Sequence, residues 1–248
     1  MSKKNIKLKI AYDGTLFHGF QVQPNLRTVQ GVLQQTLESI VGHPVSIIGS
    51  GRTDAGVHAK GQVVNFHTTS RVPLEKWPIV LNVKLPNDLV VEAAEEVPED
   101  WHARFYARGK VYRYMIDRGP YPDVFTRHYA YHYPYPLRIE PMIEAAKSLE
   151  GRHDFTSFCA ANTPIEDKVR LLHAVELKED GHLLIITCRG EGFLYNMVRI
   201  IAGTLLDVGR GKIASSDIPA ILQARDRTRA GLTAPAHGLT MWEVLYES

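Results

Sequence analysis

Apolar periodicity alternates between two and about 3.6 residues in the same order twice along this 248-residue chain, and that recurrence constrains the fold more than its composition does. The first strand pattern is Ile6-Lys-Leu-Lys-Ile-Ala-Tyr12, where apolar residues alternate with lysines as a half-buried strand requires. Thr28 can cap a helix whose apolar stripe is Val29, Val32, Leu33, Leu37, Ile40 and Val41, with Gly42 as its stop. Short β-rich runs follow at Val45 to Ile48 and Gln62 to His67. A Pro-interrupted helical segment near Leu74 to Asn82 and a strand near Leu89 to Ala94 complete the first set. The order is β-α-β-β-α-β.

The second set begins with a strand over Lys110 to Ile116 and a helix punctuated by Pro141 and Gly151. Strands over Ala174 to Lys178 and His182 to Arg189 are joined at Asp180-Gly181, a hairpin dipeptide. The most regular helix presents Leu194, Met197, Val198, Ile201, Leu205 and Val208 on one face and stops near Gly209. A short helix around Asp217 to Ala224 and a strand over Leu239 to Tyr246 close the chain. Two such runs predict an α+β protein of two ferredoxin-like halves, residues 1–105 and 106–248. Their sheets are expected to join into a central, mostly antiparallel sheet with flanking helices.

Charge is segregated along the chain, although the net charge is only +2. Residues 88 to 100 hold six acidic side chains and no basic one, while residues 101 to 138 hold seven Lys or Arg against two Asp. The basic stretch also carries eight of the eleven tyrosines, together with Trp101, Phe105 and Phe125. Interleaved cations and rings suit RNA, whose phosphates take the charges and whose unstacked bases take the rings. Alternating tyrosines also pack sheets, so both readings stand at this point. Two cysteines without CxxC spacing support neither a disulfide framework nor a cysteine zinc site. No stretch has the length and apolarity of a membrane span, and Met1-Ser-Lys-Lys-Asn runs straight into the first strand. A cytoplasmic protein is expected.

The densest candidate for chemistry is Gly49-Ser-Gly-Arg-Thr-Asp-Ala-Gly-Val-His58, a short segment between two strands. Its glycines allow close approach of a ligand, so the loop can present Arg52 and Asp54 to one. A tight turn with Asp54 bonding local amides is the alternative. The Lys-Ser/Thr ending of a phosphate loop is missing. Tyr12-Asp-Gly-Thr15 has Ala11 where aspartyl-phosphatase chemistry places its nucleophile. His153-Asp154 lacks a second metal-binding pair at helical spacing, and Gly190-Glu-Gly192 lacks the third glycine of a dinucleotide fingerprint. No cofactor or metal is expected. Arg199, set within the amphipathic helix between Val198 and Ile200, is expected either to reach solvent or to find a carboxylate.

Seven runs in one order resemble the tRNA pseudouridine synthase A family. They are Ala-Tyr-Asp-Gly-Thr-Leu-Phe-His-Gly-Phe-Gln from Ala11, Gly-Arg-Thr-Asp-Ala-Gly-Val-His-Ala from Gly51 and Trp-His-Ala-Arg-Phe from Trp101. Val-Tyr-Arg-Tyr from Val111, Asp-Phe-Thr-Ser-Phe from Asp154, Gly-Phe-Leu-Tyr-Asn-Met-Val-Arg from Gly192 and Ala-His-Gly-Leu from Ala236 follow. The resemblance implies the pseudouridine synthase fold, a homodimer that cradles tRNA, and isomerisation of uridines on the 3′ side of the anticodon stem-loop, tRNA positions 38, 39 and 40. By position it makes Asp54 the nucleophile, acting at the ribose C1′, at the base C6 or through a glycal. It makes Tyr112 the ring that stacks on the target base, Arg199 the cation that keeps Asp54 ionised, and Arg52 a residue that helps extract the nucleotide. A noncatalytic RNA-binding protein with two ferredoxin-like halves is the competing expectation.

Overall fold

The structure, a computed structural model, describes residues 3–161 and 163–246. It is α+β and mostly antiparallel, and the chain divides into two compact units. One comprises the residues up to Arg108 with those from Met241 onward; the other is Gly109–Thr240.

In the first unit the elements run β1 (Lys4–Tyr12), α1 (Val29–Val41), β2 (Ile47–Gly49), β3 (His58–Thr68), α2 (Trp77–Asn82) and β4 (Leu89–Val97). β1 lies between β3 and β4 and is antiparallel to both, with Leu8 opposite Val64 on one side and Ala94 on the other. β2 pairs with β3 as well. The alternation in β1 sends Ile6, Leu8 and Ile10 into the core, where Phe66, Leu33, Leu37 and Leu81 are also fully buried. Trp77 meets Phe66 edge-on with ring centroids 5.3 Å apart. Each such side chain, taken out of water, contributes roughly 1.5–3 kcal/mol. The lysines of β1 pair with the acidic strand: Lys4 with Glu96, Lys7 with Glu95 and Lys9 with Glu92.

The limits of α1 follow from local chemistry. Thr28, in an extended conformation, accepts from the Gly31 amide through its hydroxyl, and Gly42 ends the helix at φ 73°. β4 keeps its acidic outer positions through Val97. The Pro-interrupted segment forms a 3-10 turn at Leu74–Lys76 followed by α2.

In the second unit the elements are β5 (Ala107–Asp117), β6 (Tyr131–His132), α3 (Ile139–Lys147), β7 (Gly151–Asp154), β8 (Val169–Asp180), β9 (Leu183–Gly190), α4 (Met197–Gly209) and α5 (Ile218–Ala224). The last strand, β10 (Leu239–Tyr246), spans the junction and has most of its residues in the first unit. β9 lies between β5 and β8, with Tyr112 opposite Cys188, and β7 flanks β8, all antiparallel. β6 adds a two-residue parallel pair to β5. Tyr114, Ile116, Leu184 and Ile186 are fully buried, as are Ile200, Ile201 and Leu205 of α4 and Met142 of α3. A Cβ on Gly209 would stand 2.6 Å from the Met142 sulfur, so any larger residue there would make the Met142 side chain shift.

The α4 boundary departs from the periodic pattern. Leu194 is buried as its stripe requires, but the helix starts only at Met197, because Asn196 adopts a left-handed φ of 60°. A residue in that conformation turns the chain into a helix and cannot be part of its first turn.

Candidate active site

The segment between β2 and β3 forms a loop tied down at nearly every residue of its base. Ser50 is fully buried and donates its hydroxyl to Gln62 Oε1 at 2.5 Å. The Gln62 amide in turn donates to the Gly51 carbonyl at 2.9 Å. The Thr53 hydroxyl is 2.7 Å from that of Tyr12, and the Phe20 amide donates to the Thr53 carbonyl at 3.0 Å. Further along, the Val57 amide donates to the Asp54 carbonyl at 3.1 Å and the Gly56 amide to the Phe17 carbonyl at 3.3 Å. His58, 2 % exposed, accepts from the Gly14 amide through Nδ1 at 2.9 Å. Arg52 is exposed and Asp54 half-buried on this base. The loop is a tight turn, closed by the bond from the Val57 amide to the Asp54 carbonyl.

A second segment, Tyr12 to Phe20, packs beneath the loop. Gly14 and Gly19 are required there. A Cβ on Gly14 would stand 2.1 Å from the Val57 carbonyl oxygen, and one on Gly19, whose φ is +91°, would stand 2.9 Å from that of Thr53. Phe17 packs edge-on to Tyr12 at 6.2 Å, and the Arg27 guanidinium covers its other side at 4.0 Å. Arg27 is held there by a two-pronged pair to Asp88, both bonds 2.8 Å. Periodicity marks none of these residues as supporting Asp54; the only signal for Tyr12, Gly14, Phe17 and Gly19 is their place in the run from Ala11 to Gln21, and Arg27 and Asp88 lie outside it.

Tyr112 and Arg199 lie in the second unit. Tyr112, in β5, is 8 % exposed and meets Phe193 edge-on at 5.0 Å. Phe193 stands just ahead of α4, whose first turn carries Arg199. The Arg199 guanidinium donates to the Ala234 carbonyl at 2.7 Å and to Asn196 Oδ1 at 2.9 Å. The left-handed Asn196 that delays α4 thus also aims the arginine. Among the described residues, no group of three or more His, Cys, Asp or Glu side chains is arranged to hold a metal ion, and no helix is long and apolar enough to cross a membrane.

The loop sets a half-exposed carboxylate on a buried polar base in an antiparallel α+β frame, and comparison with known proteins assigns the class. The family described as tRNA pseudouridine synthase matches residues 9–106 and 145–247, and the chain belongs to that family. It is an isomerase of the kind that forms pseudouridine in tRNA. It is 52% identical over 243 residues to the "tRNA pseudouridine synthase A" of Brevibacillus brevis, covering 98% of this chain and 100% of that one. It is 51% identical to the protein of that name from Bacillus subtilis, over 98% and 99% of the two chains. The one from Halalkalibacterium halodurans is 53% identical over 95% and 90%. Among solved structures, a chain of the "Crystal Structure of a Cbf5-Nop10-Gar1 Complex" is similar at TM-score 0.35 and 13% identity, over 82% of this chain and 54% of that one. So loose a likeness carries no argument.

Proposed function

We propose that this protein converts uridine to pseudouridine on the 3′ side of the tRNA anticodon stem-loop, positions 38 to 40, with Asp54 as its nucleophile. The observation that carries the reading is the loop itself. A carboxylate set half-exposed on a base of buried, mutually bonded side chains is preorganised, and a preorganised group reacts without first paying for its own ordering. The N1 to C1′ bond breaks, the uracil turns, and a C5 to C1′ bond forms. C5 loses its proton and N1 gains one, so atoms balance and no electron is transferred.

In this proposal Tyr112 stacks on the target uracil and Arg199 is the cation that stabilises the Asp54 carboxylate. Arg52, exposed beside Asp54, holds the nucleotide once it has been flipped out of the stem. Two features support these roles: Phe193 braces the Tyr112 ring, and the Ala234 carbonyl and Asn196 orient the Arg199 guanidinium. The reading also makes the protein a homodimer in the cytoplasm, where its tRNA substrate is found.

The test is tritium release from tRNA transcripts labelled at uridine C5, comparing wild type with Asp54→Ala and with tRNA affinity measured in parallel. Release by wild type and none by the variant, at an affinity within a few-fold, is the expected result, since phosphate contacts dominate binding. Normal turnover by Asp54→Ala would remove the nucleophile from the proposal. Tight binding with no release by wild type would leave a noncatalytic RNA-binding protein.

A further inference from the structure

The buried base of the Asp54 loop contains polar groups that the proposed chemistry does not use. Tyr12, Ser50, Thr53 and Gln62 are 5 %, 0 %, 6 % and 0 % exposed. Burying four polar side chains is costly unless each is bonded, and here they satisfy one another. Gln62 grips Ser50 and Gly51 at the start of the loop. Tyr12 reaches Thr53, the residue directly before Asp54.

The backbone is shaped to make that reach. Between Ile10, opposite Gln62, and Tyr12, opposite Ala59, the register between β1 and β3 slips, so that β3 spends an extra residue against β1. Such a bulge bends a strand and re-aims the side chains beside it. Here it lies where β1 ends and the loop returns into β3.

We propose that Tyr12 is a positioning residue for the reaction, whose hydroxyl, bonded to Thr53, sets where the Asp54 carboxylate stands. The inference rests on the reading of Asp54 as the nucleophile. Tyr12 never touches substrate; it acts through Thr53. Its phenol is suited to a fixed bond, because burial outweighs the lowering by the hydrogen bonds to Thr53 and Gln62 and pushes its pKa up to about 12, so the proton stays on the oxygen. Its ring packs on Phe17 independently of the hydroxyl, so Tyr12→Phe removes the bond and keeps the packing.

The experiment is single-turnover tritium release by Tyr12→Phe, Thr53→Val, Thr53→Ser and the double variant Tyr12→Phe with Thr53→Val, each with thermal unfolding and tRNA affinity measured alongside. The expected result is a rate about tenfold lower for Tyr12→Phe and Thr53→Val at unchanged affinity, with the midpoint of unfolding within a few degrees of wild type. Thr53→Ser keeps a hydroxyl and should recover most of the rate. The double variant should be no slower than the worse single one, because both remove the same bond. A Tyr12→Phe protein with the wild-type rate would overturn the proposal, as would losses that multiply in the double variant. Should Tyr12→Phe fail to fold, the Thr53 pair decides alone. Asp54→Ala, assayed beside them, separates the two failures: its turnover would end the nucleophile reading, whereas an inert Asp54→Ala beside a fully active Tyr12→Phe would end only this one.

Discussion

Replacing Gly14 by alanine tests whether the segment under the loop controls the Asp54 carboxylate, the proposed nucleophile. The added methyl carbon would stand 2.1 Å from the Val57 carbonyl oxygen, 2.5 Å from its carbon and 3.1 Å from the His58 amide nitrogen. All three atoms are backbone, so no side-chain tip can swing aside. Restoring ordinary contact at 3.4 Å requires that carbonyl to retreat by roughly 1.3 Å. Val57 is bonded to Asp54 across the turn, so the retreat displaces Asp54 as well. Overpacking of this kind costs about 1–3 kcal/mol of stability. A displacement near 1 Å in a catalytic group costs on the order of a hundredfold in rate. Gly42→Ala is the matched control. Alanine is strained at its φ of 73°, but the added Cβ would meet nothing within 4 Å and the site is at the end of α1. It should lose about 1 kcal/mol and no activity. Single-turnover tritium release and thermal unfolding on both variants decide the matter. A Gly14→Ala enzyme within twofold of the wild-type rate would refute the argument, since the methyl group would then have been accommodated without moving Asp54.

Gly203→Ala should destabilise the second unit by about 3 kcal/mol, because its Cβ would stand 1.8 Å from the Leu232 carbonyl; urea unfolding measures this. Arg27→Ala should lower the rate several-fold and the stability by about 1 kcal/mol, as Phe17 loses its cationic cover and Asp88 its partner, an effect read by the same two assays. Both cysteines are buried, and burial pushes the Cys188 thiol up to about 12, so a disulfide reagent at pH 8 should label neither quickly in the native protein and both in concentrated guanidinium. For Asp154, burial raises the carboxyl pKa, but the Thr156 hydroxyl and amide, with Arg225, outweigh it and hold the group below its usual value. A lowered native pKa adds stability above the unfolded value near 3.9 and loses it as pH falls through the native one. The stability gap between wild type and Asp154→Asn should therefore be full at pH 6 and shrink below about pH 4.

Local chemistry explains what could be read from the sequence. The limits of α1 are legible because a threonine cap and a glycine stop act within one turn of the residues they end. The closing strand is legible because Thr240, Trp242, Val244 and Tyr246 favour extended backbone along Leu239 to Tyr246. Leu194 misleads because its apolar character suits a helix stripe, while the left-handed turn at Asn196 is set by backbone that periodicity does not record. β6 and β7, two and four residues long, exist only through their partners β5 and β8 and leave no pattern of their own. Glycine density marks the loop that holds Asp54 but fits a plain turn equally well, and only the family resemblance separates the two readings. The support of Asp54 could not be read, since Tyr12 meets Thr53 across 41 residues of chain.

That separation gives the loop a property a local turn would lack. A turn held only by its own amides can shift as a body, because nothing outside it fixes its origin. Here the anchors belong to β1 and β3, which are joined along most of their length and carry Ile6, Leu8, Val64 and Phe66 in the core. Moving Asp54 therefore means breaking buried hydrogen bonds or shearing two core strands, and both cost more than thermal energy supplies. Substitutions under the loop should for that reason affect rate more than tRNA affinity, whereas substitutions at exposed cations such as Arg52 should affect affinity as well.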